Sequence, residues 1–177
     1  MVLTILANPD IKFLLSHPAH FFALGFGSGL APKAPGTAGT LVGFPLFWLI
    51  SNYSFSTQLT IIAVLFLFGI YVCDKTGKDL GVSDHGAIVW DEIVAMMLVL
   101  TIAHLHWLTC LLAFLLFRLF DIWKPFPIRQ FDAKLKNGFG VMFDDLLAAI
   151  YAMMSFLLIS YLYLYWASDG GSIHLIN

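Results

Sequence analysis

Long apolar stretches separated by short polar ones run through most of the chain. Five apolar stretches can be distinguished, at about residues 38–53, 55–73, 88–104, 105–120 and 146–166. Only the last reaches the roughly 20 residues that a simple membrane-spanning helix needs. The other four are a little shorter. They could be extended by neighbouring residues, or some could be half-spans. The pattern predicts an all-α fold, a small polytopic bundle of membrane helices with short or half-spanning members.

The composition supports a membrane protein. Of the 177 residues, 60% are hydrophobic and only 11% are charged, whereas an average soluble domain has about 25% charged residues. So few polar groups cannot cover a globular surface, which excludes an ordinary cytosolic domain and a disordered chain. The net charge of −2 gives no attraction for nucleic acid. We expect residues 1–177 to form one membrane-embedded domain. The sequence does not determine its oligomeric state.

The positions of the basic residues predict a topology. If the N-terminus is cytoplasmic and all five stretches cross or dip, every Lys and Arg lies on the cytoplasmic side. The turns near 51–54 and 104–107 then carry none, as the positive-inside rule requires. This favours a turn near 104–106 over the alternative, a single helix over 93–117. Nearly all acids fall on the same face, so we expect a multi-pass protein with a cytoplasmic active site.

A glycine-rich segment, GFGSGLAPKAPGTAGT, precedes the first apolar stretch at residues 25–40. Glycines allow tight turns and close approach to a ligand, and a helix N-terminus after them favours anions. Ser28, Thr37 and Thr40 could donate hydrogen bonds to phosphate oxygens. The alternative is a simple capping loop in which Thr37 caps the helix. No Gly-Lys-Ser/Thr sequence ends the segment, so it is not a nucleotide P-loop.

Carboxylates stand next to the apolar stretches. Two adjacent pairs, Asp91–Glu92 and Asp144–Asp145, occupy the predicted helix starts, and Asp121 follows another apolar stretch. A single pair could merely favour the helix dipole, but two pairs and Asp121 on one face indicate a Mg²⁺ site of carboxylates and water. If its helix continues, Asp121 shares a face with Lys124.

The histidines and cysteines give no comparable signal. Neither HExxH nor a Cys/His cluster indicates zinc. We expect His17, His20 and His85 to lie in loops.

Four blocks taken together resemble one known family. GFGSGLAPKAPGTAGT, DHGAIVWDE, FRLFDIWKPFPI and GFGVMFDD follow one another within residues 25–145, and in this order they resemble the bacterial phosphatidylglycerophosphatase A family. The resemblance implies a Mg²⁺-dependent phosphatase of the bacterial inner membrane that converts phosphatidylglycerophosphate to phosphatidylglycerol. One departure is visible, since the family commonly has a glycine after the Asp-Glu pair where this chain has Ile93–Met96.

With this resemblance, roles can be expected for individual residues. The metal ligands, for one or two Mg²⁺ ions, are Asp91, Glu92, Asp144 and Asp145. Asp121 and Lys124 complete the catalytic set, and the substrate phosphate is expected to contact Ser28, Lys33, Thr37, Thr40 and Arg118. Cationic side chains balance charge on the transferred phosphoryl oxygens. Direct attack by water is the preferred route, and a covalent intermediate through Asp or Thr stays open.

Three alternatives remain at this level. The chain could hydrolyse another lipid phosphate monoester, such as phosphatidic acid. It could be a small cation-coupled transporter component, whose acids should lie near mid-membrane. It could also be a non-catalytic membrane subunit, which leaves the two acidic pairs unexplained. The position of the acids at segment ends favours chemistry at the membrane surface.

Overall fold

The structure, a computed structural model, describes residues 8–103 and 105–173, without the side chains of 132, 133 and 169–173. His104, at the predicted turn, lies outside the described residues. The described part contains no strand, so the all-α prediction is confirmed. Its α-helices are α1 (Ile11–Ser16), α2 (Pro18–Ala23), α3 (Pro35–Ile50), α4 (Phe55–Leu80), α5 (Trp90–Leu100), α6 (Trp107–Trp123), α7 (Ile128–Lys134) and α8 (Gly138–Ile173), and a 3₁₀ helix covers Gly25–Leu30 between α2 and α3.

Successive long helices run in opposite directions, which gathers the polar segments at one end of the bundle. This charged end comprises the N-termini of α3, α5 and α8 and the C-termini of α4 and α6. Asp74 of α4 accepts a hydrogen bond from the Gly138 N–H of α8 at 3.2 Å, and Arg118 of α6 contacts Glu92 of α5. The opposite end consists of the turns at 51–54 and 101–106.

Helix α5 is short and central. It has 11 residues, nine of which are buried, and its length of about 16 Å is roughly half the hydrocarbon thickness of a bilayer. The chain then turns at Thr101 before α6 begins at Trp107. A helix of half-span length is thus present, and the alternative of one helix over 93–117 is wrong.

Two helices, α4 and α8, are long and apolar enough to cross a membrane, over Phe55–Leu80 and Gly138–Ser168. In α4 the apolar stretch 55–73 is extended by neighbouring residues, which is one of the two alternatives that the sequence left open. Its last two turns are polar, and ion pairs between side chains four residues apart keep them helical: Lys75 with Asp79, and Lys78 with Asp74.

Large apolar side chains cover the flanks of the bundle. Among the described residues, Trp48, Leu67, Leu115 and Leu158 are each more than half exposed. Apolar surface of this extent is unusual on a soluble monomer and suits contact with lipid tails.

Glycines set the distance between α3 and α5. Gly36, Gly39 and Gly43 follow one another along α3, and each faces α5 or the residue before it. A Cβ added to Gly39 would lie 2.6 Å from the Val89 Cβ, and one added to Gly43 would lie 3.0 Å from the Ile93 carbonyl oxygen. Small residues let membrane helices approach closely, so this stripe brings α3 against the acidic start of α5.

Two helix ends differ from the sequence prediction in ways that affect the site. Helix α8 begins at Gly138, so Asp144 and Asp145 lie in its second turn and not at its start. Helix α6 ends at Trp123, and Lys124 has a left-handed backbone conformation with φ of 44°. Pro125 follows and cannot continue a helix.

Candidate active site

Carboxylates from three helices converge at the charged end. Asp91 of α5, Asp121 of α6, and Asp144 and Asp145 of α8 are all buried, with 3–9% exposure. The side chain of Glu92 is 13% exposed. Acids are rarely buried unless they are paired with a cation or bind a metal, so this cluster needs compensating positive charge.

Arg118 supplies part of that charge. Its Nη1 donates to Glu92 Oε1 at 3.2 Å, to Asp121 Oδ2 at 2.5 Å and to Thr40 Oγ1 at 3.3 Å. The guanidinium thus links α3, α5 and α6. Thr40 in turn donates to the Gly36 carbonyl oxygen at 2.8 Å, which fixes its hydroxyl towards the arginine.

Lys124 supplies further charge from the residue just after α6. Its Nζ donates to Asp144 Oδ2 at 2.5 Å, which joins the end of α6 to α8. The predicted pairing of Asp121 with Lys124 on one helix face is therefore wrong. The helix ends before Lys124, so Asp121 pairs with Arg118 and Lys124 with Asp144.

Several carboxylate oxygens of the cluster have no hydrogen-bond partner among the described residues. They are Asp91 Oδ1, Glu92 Oε2 and Asp145 Oδ2, and all three are buried. The charges on Asp91, Glu92 and Asp145 also repel one another. Burial without a partner costs a charged oxygen several kcal/mol, so these oxygens are suited to receive a cation.

The cluster does not enclose a cation completely. In the described part of the chain, no three Asp, Glu, His or Cys side chains form a group that could hold a metal ion by themselves. Oxygen ligands completed by water and substrate phosphate are nevertheless what Mg²⁺ prefers, because it dehydrates reluctantly. The buried oxygens of Asp91, Glu92 and Asp145 are the type of donor that such a partly hydrated ion takes, but they do not form a closed structural site.

The predicted phosphate-binding residues divide into two groups. Thr40 contacts Arg118, and Thr37 lies half-buried in the first turn of α3. Ser28 donates to the Gly25 carbonyl oxygen at 2.8 Å, and Lys33 is exposed before α3. Among the described contacts, none joins Ser28 or Lys33 to the carboxylates.

Local backbone geometry accounts for much of the glycine-rich segment. Gly25 and Gly27 have positive φ angles of 55° and 100°, which residues other than glycine rarely adopt. A Cβ on Gly29 would overlap the Ala87 carbonyl oxygen, and one on Gly36 would overlap Glu92 Oε1. Gly36 thereby brings the N-terminus of α3 against the carboxylate cluster. Thr37 does not cap α3, because Ala34 occupies the capping position.

One polar contact near this end was not predicted from the sequence. His20 lies on α2 and is 4% exposed, so the expectation of a loop residue is wrong for it. Its Nε2 lies 2.8 Å from Asp79 Oδ2, which ties α2 to the polar end of α4. Pro18 at the first turn, with His17 as the cap, was the available signal for this short helix.

Known proteins resemble the chain over most of its length. A model of the phosphatidylglycerophosphatase A family matches residues 21–160. The phosphatidylglycerophosphatase A of Haemophilus influenzae is 53% identical over 156 residues, which cover 87% of this chain and 96% of the relative. That of Escherichia coli is 40% identical over 140 residues, 78% of this chain and 81% of the relative. A protein of Bacteroides thetaiotaomicron with the provisional name phosphatidylinositol-3-phosphatase is 38% identical over 145 residues, 77% of this chain and 87% of the relative. No solved structure matches the chain.

Proposed function

Because the chain belongs to the phosphatidylglycerophosphatase A family, we propose that it removes the terminal phosphate of phosphatidylglycerophosphate and leaves phosphatidylglycerol. The chain is thus a phosphatase. The proposed location is the bacterial inner membrane, with the charged end at the cytoplasmic face. The basic residues support this orientation, since the turns at 51–54 and 101–106 contain no Lys or Arg.

One observation carries the proposal. Buried carboxylate oxygens on Asp91, Glu92 and Asp145 have no hydrogen-bond partner in the part of the chain that the structure describes, and they lie in the same cluster as the Arg118 cation. A phosphate monoester needs both kinds of group, since its own charge requires cations and its hydrolysis requires a proton acceptor. Their position at one end of the bundle suits a phosphate at a membrane surface.

Magnesium is the proposed cofactor. Asp91, Glu92, Asp144 and Asp145 would hold it, as carboxylate ligands suit a hard divalent cation. When bound, the ion neutralises phosphate charge and makes a water easier to deprotonate.

The protein groups have distinct proposed roles. Arg118 and Lys124 stabilise negative charge on the phosphoryl oxygens, and Thr40 orients Arg118. The N–H groups of Gly36 and Thr37, in the first turn of α3, donate hydrogen bonds to a phosphate oxygen. Ser28 and Lys33 lie outside this contact network, so their proposed role is limited to the approach of the lipid head group.

The proposed reaction is direct displacement at phosphorus. The oxygen of a water forms a bond to phosphorus while the bond from phosphorus to the lipid oxygen breaks. Asp91 or Asp145 accepts the proton of the water, and the departing lipid alcohol takes up a proton. A route through a covalent phosphoaspartate or phosphothreonine is the alternative.

A second candidate is a phosphatase of another lipid phosphate monoester. The provisional name of the Bacteroides thetaiotaomicron relative supports it, because the same residues could receive a phosphate from a different head group. A cation-coupled transporter is less well supported, since the acids lie near the helix ends and not at mid-bundle.

The proposal is tested with the purified protein in detergent. Release of phosphate is followed from phosphatidylglycerophosphate, phosphatidic acid and phosphatidylinositol 3-phosphate, each with Mg²⁺, with Zn²⁺ or with excess chelator. We expect the highest kcat/KM for phosphatidylglycerophosphate with Mg²⁺, and little release with Zn²⁺ or chelator. Undiminished release in chelator would contradict the metal requirement, and a higher kcat/KM for another lipid would favour the second candidate.

A further inference from the structure

An apolar cavity of about 320 Å³ lies between α4, α5 and α8. Among the described residues that line it, Asp91 alone is polar. Its floor includes Val94, Ala95 and Met142, all less than 5% exposed. A cavity with apolar walls offers water few hydrogen bonds, so an apolar ligand suits it.

The cavity is a groove that runs along α5. Its α5 residues, Asp91, Val94, Ala95 and Leu98, have the spacing of one helix face. The groove therefore extends from the charged end towards the opposite end, over about 10 Å of helix. This direction is that of an acyl chain in a bilayer.

The side of the groove opens on the flank of the protein. Ala63 and Leu67 of α4 line it and are exposed, and Leu67 is 66% exposed. This flank consists of the apolar surfaces of α4 and α8, the two helices long enough to cross the membrane. A lipid tail can thus enter from the side without leaving an apolar environment.

At the charged end of the bundle, the groove is continuous with the carboxylate cluster. Asp91 belongs to both, and its buried Oδ1 has no hydrogen-bond partner among the described residues. A ligand in the groove therefore needs a long apolar part below Asp91 and a polar part beside it. A lipid phosphate has this arrangement.

We propose that the groove between α4, α5 and α8 binds one acyl chain of the substrate lipid and so holds the phosphate at the charged end. This inference rests on the proposed function. It assigns substrate selection to apolar residues remote from the phosphate, since burial of the chain there adds binding free energy for long-chain lipids.

The first test narrows the groove with Ala63→Phe. The matched control is Val64→Phe, because Val64 is the next residue of α4, is 59% exposed and does not line the groove. The kcat/KM is measured for dioleoyl and dihexanoyl phosphatidylglycerophosphate. We expect Ala63→Phe to lower the long-chain to short-chain ratio by about tenfold or more, as for a pocket that loses room for several methylenes. Val64→Phe should leave the ratio unchanged.

The same long-chain to short-chain ratio in the two variants would overturn the proposal that the groove binds an acyl chain. A wild-type enzyme with equal kcat/KM for the two lipids would also overturn it. Equal losses on both lipids in Ala63→Phe would also contradict it, because they indicate a disturbed fold or phosphate site. Failure of the wild type to hydrolyse either lipid would contradict the proposed function instead.

The second test locates the acyl chain without any variant and without a measurement of activity. Phosphatidylglycerophosphate with a diazirine near the middle of one acyl chain is photolysed with the wild-type protein, and labelled peptides are mapped. We expect labels within 59–67 of α4 and 94–98 of α5, and competition by unlabelled long-chain lipid. Labels spread over the exposed part of α8 beyond Leu157, without competition, would indicate ordinary lipid contact and overturn the proposal.

Discussion

Asp91 and Asp145 are the least compensated carboxylates of the candidate site. Both are buried, and neither takes part in a salt bridge among the described residues. Glu92 and Asp144, their neighbours in sequence, have cationic partners in Arg118 and Lys124. In each acidic pair, one carboxylate is thus paired with a cationic side chain and the other is not. The carboxylate without a cationic side chain is suited to bind a metal ion.

Replacement of either uncompensated acid should therefore affect activity and not folding. We expect Asp91→Asn and Asp145→Asn each to lower kcat by about a hundredfold or more, the loss typical of one positioned electrostatic group. Thermal stability in detergent should be unchanged or higher, because a repelled buried charge is removed. Asp10→Asn is the control, since Asp10 is exposed and caps α1 and Asn caps equally well. Near-normal phosphate release by folded Asp91→Asn and Asp145→Asn would rule out their proposed role.

Arg118 should be required for stability as well as for activity. Arg118→Met leaves Glu92 and Asp121 without their cation, and breaking a buried pair from one side costs about 3 kcal/mol or more. We expect a corresponding decrease in unfolding free energy in detergent. Asp121→Asn in the same background should recover part of the loss, because it removes one uncompensated charge. If the double variant were no more stable than Arg118→Met, the ion pair would not be the source of the stability.

Sequence alone identified the charged residues of the site but not their pairing. Charges are rare in this chain, so an Arg or Asp beside an apolar stretch stands out. The partners of Lys124 and Asp121 depended on where α6 ends, and no local pattern placed Asp144 near Lys124. Hydroxyl groups gave a weaker signal, because a Ser or Thr in a turn often bonds its own backbone, as Ser28 does.

Among the elements, α3 and α5 approach each other closely at the site, and this contact depends on glycine. Ala at Gly39 would raise helix propensity by about 1 kcal/mol, so without a clash the variant would be more stable. Since its Cβ would lie 2.6 Å from the Val89 Cβ, we expect a net loss of about 1 kcal/mol or more from overpacking, measured by unfolding in detergent. Gly86→Ala is the control, as nothing lies within 4 Å of its Cβ position, and it should change stability little. A Gly39→Ala protein of raised stability would contradict the close contact.

Helix identity was easier to predict from sequence than helix ends. Each of the five apolar stretches corresponds to one helix, since continuous apolar segments in a membrane have to satisfy their backbone hydrogen bonds internally. The polar residues did not mark the helix ends correctly. Helix α4 continues to Leu80, with ion pairs between its side chains, and α8 starts six residues before Asp144. Gly81, with φ of 75°, is the residue type that commonly ends helices, and it marked the end of α4.

At the scale of the whole molecule, alternation of the helices separates charge from apolar surface. The carboxylates, Arg118 and Lys124 lie at one end, and the flanks below them are apolar. The groove beside α5 connects the two regions through Asp91. A lipid phosphate has the same division between a charged head and apolar tails, so the fold and the proposed substrate can share one orientation in the membrane.

That orientation predicts which loops are accessible from each side. In a background with Cys73 and Cys110 replaced by Ala, single cysteines are introduced as Asn52→Cys, Lys78→Cys and Lys134→Cys, all at exposed positions. Asn52 lies at the opposite end from the site, α4 leads to Lys78 at the charged end, and the half-span α5 with α6 returns the chain to that same end before Lys134.

A membrane-impermeant maleimide added to intact cells should therefore label Asn52→Cys alone, and the two lysine positions should react only after the membrane is opened. The positive-inside rule predicts that the lysine positions face the cytoplasm and Asn52 the outside. Labelling of Lys134→Cys from outside would mean that α5 and α6 together cross the membrane once, and labelling of both lysine positions but not of Asn52→Cys would mean that the bundle is inverted.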